Sequence, residues 1–330
     1  MGIAPASVFR ETDIEEYLSK PTRVDRIQLM QSGARELNFW LRDLFAQGLA
    51  ALLSENKFGL DALAVRMVDT KNSSWARTLR LLSDSLDQCE WKEKVALYSL
   101  LGLYVQAKSV LNLEKLEPLL QTEVLATAGM NWRKKDLGKV IPVNDEWKCL
   151  HAKVEWMENL RLLSSDFVGV KSGFYATVNQ YSFRFEPFDL QVQTGDLWYG
   201  DLIYYPSPTP VLAFPGEVFV KKSLKSKEAI PLPIEKMTYD LMRSREINPF
   251  RTHWPITLRS ATLQKSHIPI LDPATGEETE RMKQLIQFSE ADPNLHIFGY
   301  WSLQGFSPLS LISGGELTGL PAEDSKKQGI

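Results

Sequence analysis

The feature that most constrains this chain is a change of hydrophobic period near Pro142. Before that point, apolar residues recur at spacings of three and four. After it, β-branched and aromatic stretches alternate with turn residues. The first pattern buries one face of a helix and the second buries one face of a strand, and neither can serve as the other. Leu37, Trp40, Leu41, Leu44, Phe45, Gly48, Leu49 and Leu52 form the clearest helical stripe. Leu63, Ala64, Met67 and Val68 repeat it in a shorter segment. Asn72 and Ser73 then offer a cap ahead of Trp75, Ala76, Leu79 and Leu82. A longer helix is expected to turn Trp91, Val95, Tyr98, Leu101, Gly102 and Val105 inward, and one more is expected around Leu116 to Leu125.

In the second part, Phe174 to Phe183 reads as a strand. Leu160 to Val170 is its hairpin partner across the Ser172-Gly173 turn. Trp147 to Met157 fits helical spacing as well as alternation, so periodicity leaves it open. Further strands are expected at Leu197 to Tyr205, Val211 to Phe214, Ile256 to Leu263, Gln284 to Phe288, Leu295 to Trp301 and Phe306 to Ile312. One helix interrupts them. Pro233 suits its first turn, Ile234, Met237 and Leu241 form its apolar side, and Asn248-Pro249 ends it. The small polar stretch from Gly314 onward reads as a flexible tail. Helices first and strands afterwards argue an α+β fold, a helical N-terminal half packed on a mainly antiparallel β C-terminal half. The expected domains are 1–140 and 141–330, the second with one inserted helix. On the facing helices, Arg42 or Asp43 is expected to pair with Arg66 or Asp69.

Composition excludes several function classes. The net charge is −3 over 330 residues, and the basic stretches Trp132-Arg133-Lys134-Lys135 and Lys221 to Lys227 read as solvated loops. Nucleic-acid binding by this chain alone is therefore not expected. Cys89 and Cys149 lie far apart and form no C-x-x-C pair, so no zinc and no cofactor is expected. Met1 to Arg10 does not read as a secretory signal and no apolar run spans a bilayer, which points to the cytoplasm. No phosphate loop, dinucleotide fingerprint, G-x-S-x-G elbow or H-E-x-x-H occurs. None of His151, His253, His267 and His296 has a ligand or nucleophile partner at helical spacing. The one enzymatic alternative is a metal-dependent enzyme acting on nucleic acid, with Asp196, Asp201 and Glu217 holding magnesium near Lys221 and Lys222.

Three segments, Glu36-Leu-Asn-Phe-Trp-Leu-Arg-Asp-Leu-Phe-Ala-Gln-Gly-Leu-Ala50, Ala64-Val-Arg-Met-Val-Asp69 and Trp75-Ala-Arg-Thr-Leu-Arg80, resemble the region after the zinc finger in bacterial SWIM zinc finger family proteins. Leu202-Ile-Tyr-Tyr-Pro-Ser207, Asn248-Pro-Phe-Arg-Thr-His-Trp-Pro255 and Gly299-Tyr-Trp301 with Pro308-Leu309-Ser310 follow in the family's order. The resemblance implies a β meander from Trp147 to Phe183. It also implies a non-catalytic adaptor or recognition role beside a MoxR-type AAA+ ATPase or a von Willebrand factor A domain protein, which those proteins are typically encoded next to. The family's C-x-C…C-x-H zinc site has no counterpart, since Met1 to Arg35 holds neither cysteine nor histidine.

For an interaction protein, the docking candidate is the loop Tyr204-Tyr-Pro-Ser-Pro-Thr-Pro210. Its prolines stiffen the chain and remove backbone donors, so it belongs at an edge or on the surface. Tyr204, Tyr205, Pro206 and Pro208 are its candidate partner-binding residues, and Trp132 is a second candidate in its basic stretch.

Overall fold

The structure is a computed structural model. It describes residues 4, 6–53, 57–88, 92–137, 140–157, 159–222, 232, 241–260, 269–271, 295–302, 305–314 and 316–320. The chain divides into two compact units. One comprises Phe9–Lys139 with Pro206–Pro208, and the other Met1–Val8, Val140–Tyr205 and Thr209–Ile330. A helical N-terminal region is followed by a mainly antiparallel β region, an α+β chain.

The helical unit holds α1 (Glu11–Leu18), α2 (Pro21–Gln47), α3 (Leu60–Asp69), α4 (Ser73–Gln88), α5 (Lys92–Leu111) and α6 (Pro118–Ala128). Pro21 opens α2, where its preset φ fits and its missing N–H is not needed. The helix therefore starts sixteen residues before the stripe that announced it. Gly48, at φ 88°, ends it and sends Leu49 and Leu52 into a separate 3-10 turn. Met30, Gly33, Ala34, Leu37, Leu41 and Leu44 are its buried apolar line. Gly33 is required there, because an added Cβ would lie 2.2 Å from the Asn72 amide nitrogen and 2.3 Å from the Thr70 hydroxyl oxygen. Trp40 lies half-buried beside this line, and its indole N–H donates to the Phe58 carbonyl at 3.0 Å.

Three expectations for the helices need correction. Asn72 does not cap α4 through its side chain. Its amide donates to the Met30 carbonyl at 3.2 Å and to Thr70 Oγ1 at 3.1 Å, and its Oδ1 has no partner among the described residues. The residue ties the α3–α4 corner to α2. Arg66 pairs with Glu36, a turn and more before Arg42 and Asp43. On α5 the buried residues are Ala96, Leu100, Leu103, Ala107 and Val110, whereas Tyr98, Leu101 and Val105 stay exposed. This helix is apolar on nearly every side. The small side chains of Ala96 and Ala107 let neighbours approach closely, and that proximity selects the face. Trp91 lies outside the described residues.

The β unit begins with β1 (Val143–Met157), β2 (Leu160–Gly169), β3 (Tyr175–Phe183), β4 (Leu197–Tyr204) and β5 (Leu212–Lys221). They close into a barrel in the order β1-β2-β3-β5-β4. All pairs are antiparallel except β3–β5, which run parallel at Thr177↔Leu212 and Val178↔Ala213. One long strand makes this closure possible. β1 pairs with β4 over Val143–Lys148 and with β2 over Trp147–Met157, and a bulge between Cys149 and His151 bends it from one partner to the other. At the β4 corner Gly200 has φ 139°, and an added Cβ would fall 1.9 Å from the Val218 carbonyl. The indole of Trp147 closes that corner by donating to the Gly200 carbonyl at 3.0 Å.

A second sheet contains β6 (Trp254–Arg259), β7 (His296–Trp301), β8 (Phe306–Ser313) and β9 (Glu316–Gly319), all antiparallel. It shares an apolar cluster with the barrel through Leu150, Val168 and Tyr175 against Phe298, Leu309 and Ile312. Buried Asp166 accepts hydrogen bonds from Tyr300 at 2.6 Å and from Thr177 at 2.7 Å, whereas the buried hydroxyls of Ser165 on β2 and Ser310 on β8 find no partner among the described residues. β9 occupies part of the stretch expected to be a tail, because β8 offers Leu317 and Thr318 a ladder that alternation over four residues cannot advertise. Of the helix expected from Pro233, the residues Pro233, Ile234 and Met237 lie outside the described residues, and Leu241–Ile247 is helical, here α7. The strand expected at Gln284 to Phe288 lies outside the described residues.

Candidate functional site

The structure places the proline loop's residues unevenly. Tyr204 is wholly buried, and its hydroxyl donates to the Tyr175 carbonyl at 2.9 Å. Burial pushes its phenol well above the ordinary tyrosine value, which marks it as a core residue. Its ring therefore cannot meet a partner. Tyr205 is half-buried against Phe214, with ring centroids 5.5 Å apart. Pro206 is buried, and its carbonyl accepts the Thr122 hydroxyl at 3.1 Å within the helical unit. Pro208 keeps partial exposure. Trp132 stacks on Tyr17 with centroids 3.6 Å apart and planes 19° apart.

The carboxylates of the enzymatic alternative are not brought together. Asp196 pairs with Lys221 at 2.7 Å. Asp201 accepts the Asn144 amide at 2.7 Å. The two are five residues apart along nearly one strand, about 16 Å. Glu217 is exposed on β5. Among the described residues no three histidine, cysteine or acidic side chains are placed to hold a metal ion. His151 lies 3.5 Å from Asp166, yet the Cys149 thiol points to the His151 carbonyl and not to its ring. Register explains the separation: Cys149 opposes Phe167 and His151 opposes Asp166, on opposite faces of the sheet. Burial pushes the Cys149 thiol well up, which disfavours a nucleophilic thiolate.

The candidate surface lies where the barrel's own pairing stops. β1 leaves β4 after Lys148, and β3 meets β5 only at Thr177 and Val178. Beyond those points β1, β2 and β3 continue as a three-stranded meander. Its rows are Glu155–Leu162–Tyr181, Trp156–Arg161–Ser182 and Met157–Leu160–Phe183. Successive rows face opposite sides. The segment after β3, Arg184-Phe-Glu-Pro-Phe188, folds back over the Trp156 row. Phe185 meets Trp156 edge-on at 5.7 Å. Trp156 is 58% exposed and Phe185 83%, while Tyr181, 62% exposed, faces the other side of the sheet.

Specific bonds hold these rings in place. Arg161 lies 5.6 Å over Trp156 and 4.9 Å over Phe188. It also donates to the Ser182 hydroxyl at 3.2 Å and to the Glu186 carbonyl. The Gln180 amide brackets Leu190, giving a hydrogen bond to its carbonyl at 3.2 Å and accepting its N–H at 2.8 Å. Arg184, at φ 51°, donates its N–H to the Asn159 carbonyl at 2.9 Å and places its guanidinium 5.1 Å over Phe183. The Trp156 side of the meander is thus apolar, with Arg161 laid over its rings and bonded to the segment after β3. Exposed apolar clusters of this kind mark interaction sites, and rings already ordered lose little freedom on binding. Sequence reasoning passed over it. A usable signal was present in Phe183-Arg-Phe-Glu-Pro-Phe188, which packs three aromatics and a proline into six residues.

Residues 25–128 match the model of the SWIM-associated four-helix bundle domain. The match covers most of α2 and all of α3 to α6, roughly a third of the chain. It leaves the barrel and the second sheet outside. No curated protein matches the chain, and no solved structure does. Among the described residues no helix is long and apolar enough to cross a membrane.

Proposed function

We propose that the chain is a non-catalytic adaptor or recognition protein that works by binding, with the aromatic–arginine end of the β1–β2–β3 meander as its contact surface. The observation that carries this reading is the exposure of Trp156 and Phe185 on the side of the meander where Arg161 and Gln180 tie down the segment after β3. Tryptophan, tyrosine and arginine dominate the energetics of protein interfaces. The partner is a protein, a MoxR-type AAA+ ATPase or a von Willebrand factor A domain protein, and the setting is the bacterial cytoplasm. That assignment follows from the resemblance to SWIM zinc finger family proteins, and the match of the helical unit to a SWIM-associated domain supports it. The test is direct binding of the purified chain to each of these two proteins from the same organism. Capture should be lost in a Trp156→Ala, Phe185→Ala double variant that melts like the wild type. Capture of neither protein, or capture indifferent to the double variant, would sink the reading.

A second reading has one specific observation in its favour. A closed five-stranded barrel in the order β1-β2-β3-β5-β4 resembles the OB-fold, which binds oligonucleotides on its β2–β3 face and the loops beside it. Tyr181 lies on β3 and Trp156 beside the β1–β2 turn, and bases stack on such rings. Against it, Arg161 and Arg184 already lie over rings and the net charge is −3. A fluorescent single-stranded oligonucleotide bound at low salt and released by Trp156→Ala would favour it. The enzymatic alternative has nothing comparable in its support, since Lys221 and Asn144 engage Asp196 and Asp201. Magnesium-dependent cleavage lost on Asp201→Ala would restore it.

A further inference from the structure

We infer that the helical unit carries an anion site for a phosphate monoester, formed by Arg26 and Arg133 beside the Tyr17–Trp132 stack. This inference is independent of the meander. The site is assembled from three pieces of chain: the end of α1, the start of α2 and the segment after α6. Arg23 and Arg26 fall three residues apart on α2 and so share a face. Arg23 donates to Asp136 Oδ2 at 3.0 Å and lies 4.4 Å over the Tyr17 ring. Arg133 reaches the same oxygen at 3.8 Å, and the Tyr17 hydroxyl lies 3.5 Å from it. One carboxylate oxygen therefore serves two guanidiniums and a phenol.

Arg26 is the residue this arrangement leaves unexplained. One of its nitrogens donates to the Gly129 carbonyl at 2.9 Å, which is neutral. Its Nε is buried and finds no acceptor among the described residues. Burial, then repulsion from Arg23 and Arg133, hold its guanidinium below the ordinary arginine value. Arg26 thus sits partly desolvated among charges of its own sign, a costly placement unless an anion completes it.

The charge count selects the anion. Arg23 and Arg133 share the Asp136 carboxylate, Lys20 lies 5.4 Å over the Tyr17 ring, and Arg26 meets only a carbonyl, so the contacts at this place hold more cations than carboxylates. A carboxylate ligand supplies one negative charge and two acceptor oxygens. A phosphate monoester carries about −1.5 to −2 near neutral pH and offers three acceptor oxygens. Guanidinium forks match phosphate geometry. Trp132, stacked on Tyr17 and still partly exposed, lies close enough to report on the site.

The experiment is calorimetric titration of the full chain with inorganic phosphate, AMP and adenosine at matched ionic strength. Phosphate and AMP should bind and adenosine should not. AMP binding roughly tenfold tighter than phosphate would add a stacked base to the site, whereas equal affinities would show that the phosphate group alone is read. Arg133→Gln, on an exposed side chain, should weaken phosphate roughly fivefold or more without moving the melting temperature. Arg26→Gln should abolish binding. If Arg26→Gln fails to fold, the Arg133→Gln result decides. No heat with phosphate beyond that of sodium chloride, or Arg133→Gln binding like the wild type, would overturn the inference.

Discussion

Two regions of this molecule set a tryptophan among arginines, and they solve opposite problems. At the barrel's open end, Arg161 and Arg184 lie on rings that remain largely in solvent. The cations there stiffen an apolar surface. In the helical unit, Tyr17 is buried beneath Arg23 and Trp132, and an excess of positive charge gathers around one carboxylate. There the rings support the cations. The same residue types therefore present hydrophobic area in one place and charge in the other. Burial decides which, because it governs whether ring surface or guanidinium is left to meet a ligand.

The largest test of that contrast is stability. Arg23→Ala removes a cation 6% exposed from its carboxylate and should cost about 3 kcal/mol in denaturant unfolding, because Asp136 loses its closest cation. Arg161→Ala should cost only about 1 kcal/mol, since it trades partly exposed contacts for water. Equal costs would erase the distinction between the two sites. Next comes affinity. The Trp156→Ala, Phe185→Ala double variant should weaken partner binding by about 2 kcal/mol or more with no shift in unfolding. Trp132→Ala should do the reverse, lowering stability and leaving the partner bound.

A pH measurement sharpens the buried side. Burial first, and then the neighbouring Asp136, push the Tyr17 phenol up to about 12 against opposition from Arg23. The folded state therefore holds this proton more tightly than the unfolded chain does. The resulting stability is complete below about pH 10 and is lost as the pH rises through about 12. Phenolate absorbance should show a step near 12 that disappears in Tyr17→Phe. Tyr175, Tyr204 and Tyr300 are also raised, so the difference between wild type and variant is the quantity to read. A titration unchanged by Tyr17→Phe would place that ring in water. The smallest effect expected is salt dependence. Partner binding through the meander should fall by no more than about twofold on moving from low to physiological salt, because apolar area carries it. A steep loss would mean that the cations, and not the rings, make the contact.

Much of the backbone was legible from period alone. Leu63, Ala64 and Met67 lie on the buried side of α3 as their spacing requires, and Ser172-Gly173 does turn β2 into β3. The strands at Leu197, Leu295 and Phe306 fall where alternation placed them. The site was less legible. Tyr204 looked like a docking residue because prolines follow it, yet the closing barrel buries it. Val68, Tyr98 and Leu101 looked like core and are exposed. Trp156 lay in a stretch whose spacing fitted two structures, so nothing local identified it as a ring on the surface.

By itself, then, the sequence determined the α+β order, the places where helices and strands begin and turn, and the short list of groups able to do chemistry. Those properties follow from neighbours within a few residues, where sterics and period act directly. The tertiary structure alone decided that β1 bends at Cys149–His151 to serve two partners, that β3 and β5 run parallel, and that Leu100 and Leu103, not Leu101, line the core. It also decided that pairing with β4 and β5 ends short of Trp156 and Tyr181, whose rings are exposed, and that Arg133 comes near Arg26 from the far end of the helical unit. Each of these depends on residues tens of positions apart meeting in space. A periodic pattern says that a face will be covered, but the identity of the covering residues is fixed only when the whole chain closes.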